Sequence, residues 1–165
     1  ILEKHLLPLI NKKFNGKRYL FQDDNDDFLD KIIVEVNDLF LKRADYGYYF
    51  GEITEEIEEY LMEKRISPEN FFELVNQERY SNQYPNLFGF CYERGIGNTM
   101  DWKKAKLFYE RSEESGDHYG EWLLGYMYLN NHETMDVNKG LFLCKKSADA
   151  GNARAQLILA EFYAW

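Results

Sequence analysis

The chain has 165 residues, of which 45% are hydrophobic and 17% aromatic, and 20 Lys and Arg against 29 Asp and Glu give a net charge of −9. A chain of this length buries roughly 70% of its unfolded surface, so no disulfide or metal is needed to hold it folded. The aromatic content excludes a solvated, disordered chain, and the acidic balance argues against a nucleic-acid partner, because phosphate binding needs clustered Lys and Arg.

The sequence also carries no signal of a membrane span, a metal site or a cofactor. No stretch approaches the roughly 20 apolar residues that a membrane span requires. Cys91 and Cys144 stand outside any CxxC pattern, which favours a reducing compartment and predicts a cytoplasmic protein. His5, His118 and His132 have no histidine partner four residues away, so we expect no bound metal.

Residues 1–85 show no clear repeat, but their patterning predicts helices. Apolar residues at a spacing of three to four indicate one helix that begins near Asp26 and a second over Glu52–Lys64. Ser67 and Pro68 are typical of an N-cap and a first helical residue. We expect these helices to form a cap over the first unit of the repeats that follow, because an end unit otherwise exposes its stacking face.

An acidic run before the first of these helices raises the alternative of a calcium site. Asp23, Asn25 and Asp27 have the first three ligand spacings of an EF-hand loop. The loop then needs Gly at its sixth position and Glu at its twelfth, where Phe28 and Val34 stand. The run is therefore interpreted as a solvated turn that begins a helix.

The second half of the chain repeats itself. Sliding it by 35 residues superimposes like residues, and upstream of the loop the offset becomes 36, because the second loop is one residue shorter. The pairs at 35 are Asp101 with Asp136, Lys104 with Lys139, Ser112 with Ser147, Gly116 with Gly151, Leu124 with Leu159, and Tyr128 with Tyr163; those at 36 are Leu87 with Leu123, Gly89 with Gly125, and Tyr92 with Tyr128.

Each unit is predicted to contain two helices. In the second unit the first helix runs from about His118 to Leu129, and glycines at 89 and 125 suggest that a neighbouring helix approaches closely. Asp101 and Asp136 are candidate N-caps of the second helices, with Gly116 and Gly151 as left-handed stops. The predicted helices are Trp102–Glu114, Val137–Asp149 and, in a partial third unit, Ala153–Trp165.

The order of these residues resembles the Sel1-like repeat, a relative of the tetratricopeptide repeat. The first unit has Phe88-Gly89-Phe90-Cys91-Tyr92, then Gly95-Ile96-Gly97, Asp101-Trp102-Lys103-Lys104-Ala105 and Gly116; the second keeps Leu124-Gly125-Tyr126-Met127-Tyr128, Asp136-Val137-Asn138-Lys139 and Gly151. It departs from the pattern by losing the Gly-x-Gly loop and by having Gly140 where the family favours Ala. The resemblance implies an all-α, right-handed α-α superhelix.

This resemblance divides the chain into an irregular helical cap, 1–85, and repeats over 86–165, with units at 86–121, 122–155 and a partial 156–165. A divergent helical lead-in looks like that of fungal Sel1 proteins, some of which carry a kinase domain and act in signalling. No kinase motif occurs in this sequence, so any kinase would lie outside it. We interpret the chain as a piece of a longer protein.

Three patterns suggest chemistry, and in each the simpler interpretation is favoured. Gly95-Ile96-Gly97 is half of a dinucleotide fingerprint, but no strand precedes it, so a turn between helices is favoured. Cys144 has two lysine neighbours that could activate a thiol, yet it takes the position of Tyr109 in the previous unit, which indicates packing. Paired carboxylates such as Glu55-Glu56 point to different sides of a helix. We therefore predict no enzyme activity.

What remains is the surface lined by the first helix of each unit, which family members use to hold peptides or partner proteins. We predict a non-catalytic scaffold or adaptor that binds a protein or peptide there. The residues on these helices outside the stacking face are Phe90, Glu93, Arg94, Glu121, Trp122 and Tyr126. The alternative is that they pack against the preceding helices. A second hypothesis is self-association, or a structural module that regulates a flanking domain.

Overall fold

The computed structural model of the chain describes residues 26–133 and 135–164, and all regular structure in these ranges is α-helix. The prediction of an all-α helical-repeat fold is thus confirmed. Asp23 and Asn25 of the proposed calcium alternative lie outside the described residues. The helices are α1 (Asp26–Asp45), α2 (Phe50–Glu63), α3 (Pro68–Val75), α4 (Glu78–Gln83), α5 (Pro85–Arg94), α6 (Trp102–Glu114), α7 (His118–Asn130), α8 (Val137–Asp149) and α9 (Ala153–Tyr163).

The second helices of the two complete units begin at the predicted caps. The Asp101 side chain accepts a hydrogen bond from the backbone N–H of Lys104 at 3.0 Å, and Asp136 accepts from Lys139 at 3.0 Å. Each capping bond satisfies one of the N–H groups that the first turn leaves without a helical partner. Gly116 and Gly151 follow the helix ends with φ of 81° and 98°, which is the left-handed region.

Glycines allow the helices of each unit to approach closely, as predicted. A Cβ added at Gly89 on α5 would lie 2.5 Å from the Tyr109 ring of α6, and one at Gly125 on α7 would lie 2.9 Å from Cys144 Sγ of α8. Gly120 makes the corresponding contact between units, because a Cβ there would meet the side chain of Ser112 at 2.5 Å. Consecutive helices α5 to α9 therefore stack in chain order.

The helices before residue 85 do more than cover the first unit, which is where the prediction differs from the structure. We call the surface formed by α5, α7 and α9 the first-helix face. The end of α1 reaches α7, where the Tyr119 hydroxyl donates to Asp45 at 2.6 Å, and the α1–α2 turn reaches α9, where Arg154 donates to the Gly47 carbonyl at 3.3 Å. The apolar stripe of α1 that the sequence indicated is buried beneath this contact.

Helices α3 and α4 pack at the start of the array. Ser67 caps α3 by accepting from the Asn70 N–H at 3.2 Å, with Pro68 as the first helical residue, as predicted. Phe72 of α3 stacks on Phe88 of α5 with ring centroids 5.5 Å apart. Helix α4 is short and was not predicted, because only Tyr80 and Ser81 within it are buried.

Candidate functional site

The first-helix face carries the six residues predicted to bind a partner, and the structure fills most of that face with the chain's own residues. Phe50, the first residue of α2, inserts its ring between the first helices of the two units. Its ring centroid lies 5.4 Å from Phe90, 5.6 Å from Trp122 and 4.8 Å from Tyr126. Phe40 of α1 adds a second contact to Phe90 at 4.7 Å. Phe90 and Trp122 are fully buried as a result.

Glu121 is also inside rather than on the surface. Its carboxylate is buried and pairs with Lys146 of α8, whose Nζ lies 2.8 Å from Glu121 Oε1 and 3.2 Å from Glu113 Oε1. One lysine thus joins acidic side chains of α6 and α7. Phe90, Trp122 and Glu121 therefore pack inside the protein, which was the alternative to partner binding. Helices α1, α2 and α8 cover these positions, and helix periodicity alone does not indicate that they are buried.

Glu93 is a buried carboxylate near the end of α5. Its Oε2 accepts a hydrogen bond from the Tyr109 hydroxyl of α6 at 2.6 Å. Burial raises the pKa of Glu93 to about 7, although the Tyr109 bond and the neighbouring Arg94 charge act in the opposite direction. The same burial and the Glu93 charge raise the pKa of Tyr109 well above its ordinary value. Glu93 is therefore a carboxyl that exchanges its proton near neutral pH.

Glu93, Arg94 and Tyr126 meet at an opening on the otherwise filled face. It has a volume of about 260 Å³ and lies between the start of α2, the ends of α5 and α7, and the start of α6. We call it the Glu93 groove. Arg94 and Tyr126 are half-buried, and Arg94 is held towards α2 because its Nε donates to Thr54 Oγ1 at 3.3 Å. The groove is lined by Tyr49, Phe50, Gly51, Glu93, Arg94, Trp102, Tyr126, Met127, Asn130 and Asn131.

Several lining residues were absent from the sequence prediction. Tyr49 and Phe50 come from the N-terminal half, and helix α2 begins two residues earlier than predicted because Glu52 accepts from the Tyr49 backbone N–H at 2.8 Å. The signal was the aromatic pair Tyr49-Phe50, which Gly51 separates from the predicted helix start at Glu52. Trp102 follows the Asp101 cap at the start of α6 and is half-exposed beside the groove, which the sequence motif alone does not indicate.

Comparisons with known proteins agree with this architecture. No family model matches the chain. A sel1-like repeat-containing protein, L21, of Acanthamoeba polyphaga mimivirus is 36% identical over 78 residues, which are 47% of this chain and 14% of that protein. This chain is thus similar to a Sel1-like repeat protein over nearly half of its length. A crystal structure of c5321, a protective antigen of uropathogenic Escherichia coli with an SLR fold, aligns with a TM-score of 0.55 and 21% identity over 68% of this chain and 25% of the other.

Sel1-like repeat proteins are generally protein-interaction modules and typically non-catalytic. The chain spans only a small part of both proteins that it matches, so the activity and partners of those whole proteins do not transfer with the repeats. The likeness to the E. coli antigen shows the fold alone. The similarity thus gives the fold, and a binding surface has to be argued from the residues of this chain.

The two cysteines of the chain are held inside the fold. Cys91 and Cys144 are both buried free thiols, and burial raises the pKa of each well above its ordinary value, which disfavours the reactive thiolate.

Within residues 26–133 and 135–164 no group of three or more His, Cys, Asp or Glu is placed to hold a metal ion. Across those same ranges, no helix combines the length and hydropathy of a membrane span.

Proposed function

We propose that this chain is a non-catalytic protein-interaction module and that a partner protein or peptide binds in the Glu93 groove. The first helices of Sel1-like units offer a face for partners, but α1 and α2 occupy most of that face here. The observation that carries the proposal is the opening left beside Phe50, where exposed and half-exposed aromatic side chains surround a buried carboxylate. Three of the residues predicted from sequence, Glu93, Arg94 and Tyr126, contribute to it.

The chemistry of the groove favours binding over catalysis. Tyr49 and Trp102 offer large, rigid contact areas, and tyrosine and tryptophan are among the side chains most often found as anchors of protein interfaces. Glu93, the carboxyl among the residues that line the groove, is hydrogen-bonded to a tyrosine hydroxyl, and no nucleophile or metal-binding cluster is among those lining residues. In this proposal the cap region predicted over 1–85 contributes Tyr49, Phe50 and Gly51 to the binding site, and the repeat region over 86–165 contributes the rest of its walls.

Filling the groove tests this function without disturbing the fold. Gly51 lines the groove in the first turn of α2, and a Cβ added there would meet no atom within 4 Å. We expect Gly51→Trp to fold normally and to lose binding of peptides that are selected on the wild-type chain from a displayed random library. Met62→Trp is the matched control, because Met62 is exposed on the same helix outside the groove. Equal binding by the Gly51 and Met62 variants would reject the groove as the site.

A second candidate function, self-association, has its own observation. Phe162 and Tyr163 of α9 are exposed at 44% and 72% of their surfaces, and their ring centroids lie 5.8 Å apart. Neighbouring exposed aromatic side chains of this kind favour contact with another protein surface. Light scattering over a concentration series separates this candidate from the first, since a chain that stays monomeric throughout excludes it. A dimer that Phe162→Ser and Tyr163→Ser dissociate would support it.

A further inference from the structure

We infer that the Glu93 groove accepts a single lysine or arginine side chain of the partner, a step that rests on the proposed function. Glu93, a buried carboxylate, is one of the residues that line the groove, and the other lining residues include four aromatic ones: Tyr49, Phe50, Trp102 and Tyr126. A cation surrounded by aromatic rings is attracted by their π-electrons, more strongly where water is excluded. A buried carboxylate supplies the opposite charge in the same place.

Several other polar groups of the groove are already engaged within the chain. Asn130 Nδ2 donates to the Tyr126 carbonyl at 2.9 Å, and Asn131 Oδ1 accepts from the Glu133 N–H at 2.9 Å. Arg94 directs its Nε to Thr54, as described above. The Tyr109 hydroxyl supplies Glu93 with one hydrogen bond, whereas a carboxylate has the capacity to accept several. Glu93 is thus the polar group of this groove best suited to recognise a ligand.

Size and charge agree with this class of ligand. The 260 Å³ of the groove is slightly below the roughly 300–1,000 Å³ of sites that enclose a whole small molecule, and suits one long side chain. The chain's net charge of −9 attracts a basic partner over longer range. An arginine of the chain already makes a contact of this type at the edge of the groove, where the Arg154 guanidinium lies 5.0 Å from the centre of the Tyr49 ring.

A bound cation couples to the proton on Glu93. The charged groups that face Glu93 are Arg94 on its own helix, Tyr109 from α6 and Tyr126 from α7, while α2 contributes Phe50 and Gly51 without charge. Because the pKa of Glu93 is raised to about 7 in the free chain, a cation that binds the carboxylate form displaces a proton below that pH. Affinity for a basic side chain therefore rises with pH through neutrality and levels off above it.

Nuclear magnetic resonance titration with four acetylated amino-acid amides tests the inference. The probes are the lysine, arginine, norleucine and glutamate amides, and the signals followed are the Trp102 indole and the Gly51 amide. We expect the lysine or arginine probe to shift these signals at concentrations at least tenfold below norleucine, with no shift by glutamate. Glu93→Gln, which keeps an acceptor for Tyr109, is expected to remove this preference and its pH dependence. Glu55→Gln, an exposed residue of α2, is the charge-matched control and is expected to keep both.

Each other outcome overturns the inference and leaves the proposed function separately testable. Norleucine binding as tightly as lysine would make the groove an apolar pocket and the carboxylate irrelevant. Preferential binding of the glutamate probe would assign recognition to Arg94. If no probe shifts the groove signals up to its solubility limit, the groove does not take a basic side chain. In all three cases the peptide selection with Gly51→Trp still decides whether the groove is the partner site.

Discussion

The second helices of the two complete repeat units, α6 and α8, have nearly identical ends, whereas the interiors of the units differ. Asp101 and Asp136 share a φ of −144° and cap their helices at the same distance. Inside the first unit Glu93 bonds to Tyr109, whereas the corresponding positions of the second hold Leu129 and Cys144. Helix ends depend on a few neighbouring residues, so they repeat, whereas the interior depends on whatever else packs there. The polar pair is found in the first unit, whose Glu93 lines the groove.

The loops of the two units differ for a similar reason. Gly97 has a φ of 67°, and a Cβ there would lie 1.9 Å from the Pro68 carbonyl oxygen at the start of α3. The shorter loop of the second unit lacks the Gly-x-Gly sequence, and the α3 contact is made by the first unit. The Gly-x-Gly sequence is therefore found in the loop that contacts α3. Gly140 departs from the family pattern in the other direction, because it is a glycine where the family favours Ala. A Cβ at this position would lie 2.7 Å from the Leu129 side chain.

Among substitutions that compare equivalent positions of different units, replacing Trp122 should lower the free energy of unfolding most. Trp122 is 0% exposed, whereas Leu157, at the same position of the third unit, is 40% exposed. We expect Trp122→Ala to lower the free energy of unfolding by about 4 kcal/mol, because it leaves a cavity between α2 and α7. Leu157→Ala should cost about 1 kcal/mol or less. Urea unfolding followed by circular dichroism measures both, and similar losses would contradict the burial of Trp122 under α2.

Gly97→Ala should be nearly as damaging, since it combines a left-handed backbone with a collision against α3. We expect a loss of about 3–4 kcal/mol in the free energy of unfolding. Gly116→Ala provides the comparison, because its φ is 81° but no atom lies within 4 Å of an added Cβ. It should cost only the backbone strain, about 1 kcal/mol. Equal losses for the two variants would mean that α3 does not press on the first loop.

Glu93→Gln should change how stability depends on pH. The pKa of this carboxyl is near its ordinary value of 4.5 in the unfolded chain and about 7 in the folded one, so between these values the folded chain holds the extra proton. Stability therefore falls as pH rises through this window, by about 3 kcal/mol in all, and then stays constant. A glutamine has no proton to lose. We expect the variant to match wild type near pH 4.5 and to be the more stable one at pH 8.

Equilibrium unfolding of both proteins in urea across this pH range measures the difference. Glu55→Gln removes one exposed carboxylate of α2 and should follow the wild-type curve throughout. A constant difference between Glu93→Gln and wild type at all pH values would show that Glu93 is not neutralised by burial. The second unit offers no such carboxyl, because Leu129 stands in its place.

The smallest effects are expected at the shared caps. Asp101→Ala and Asp136→Ala each remove one hydrogen bond to a backbone N–H at 3.0 Å. Each should cost about 1 kcal/mol of unfolding free energy, and the two losses should agree closely because the geometries match. The Asn substitution at each site, which keeps an acceptor oxygen, should recover most of the loss in the same thermal or urea unfolding measurement. A marked inequality would show that the units are not equivalent even at their helix ends.

The sequence predicted most accurately what neighbouring residues determine. Helices α6 and α8 have the predicted bounds, because Asp101, Asp136 and the glycines after them act within one turn. The stacking of the N-terminal helices on the first-helix face could not be predicted in this way. Periodicity indicates that α1 has a buried stripe, but the segment that buries it lies far along the chain. For the same reason the sequence could not separate the candidate site residues. Glu93, Arg94 and Tyr126 line the groove, whereas Trp122 is buried.

The contact between Arg154 and the Gly47 carbonyl joins residues 107 positions apart in the chain. In a simple repeat array contacts are local in sequence, so such proteins have low contact order, and units can open one after another from an end. Helices α1 and α2 instead bridge α5, α7 and α9, which raises the contact order and ties the units together. The array should therefore unfold in one cooperative transition, and refold more slowly than a string of independent helix pairs.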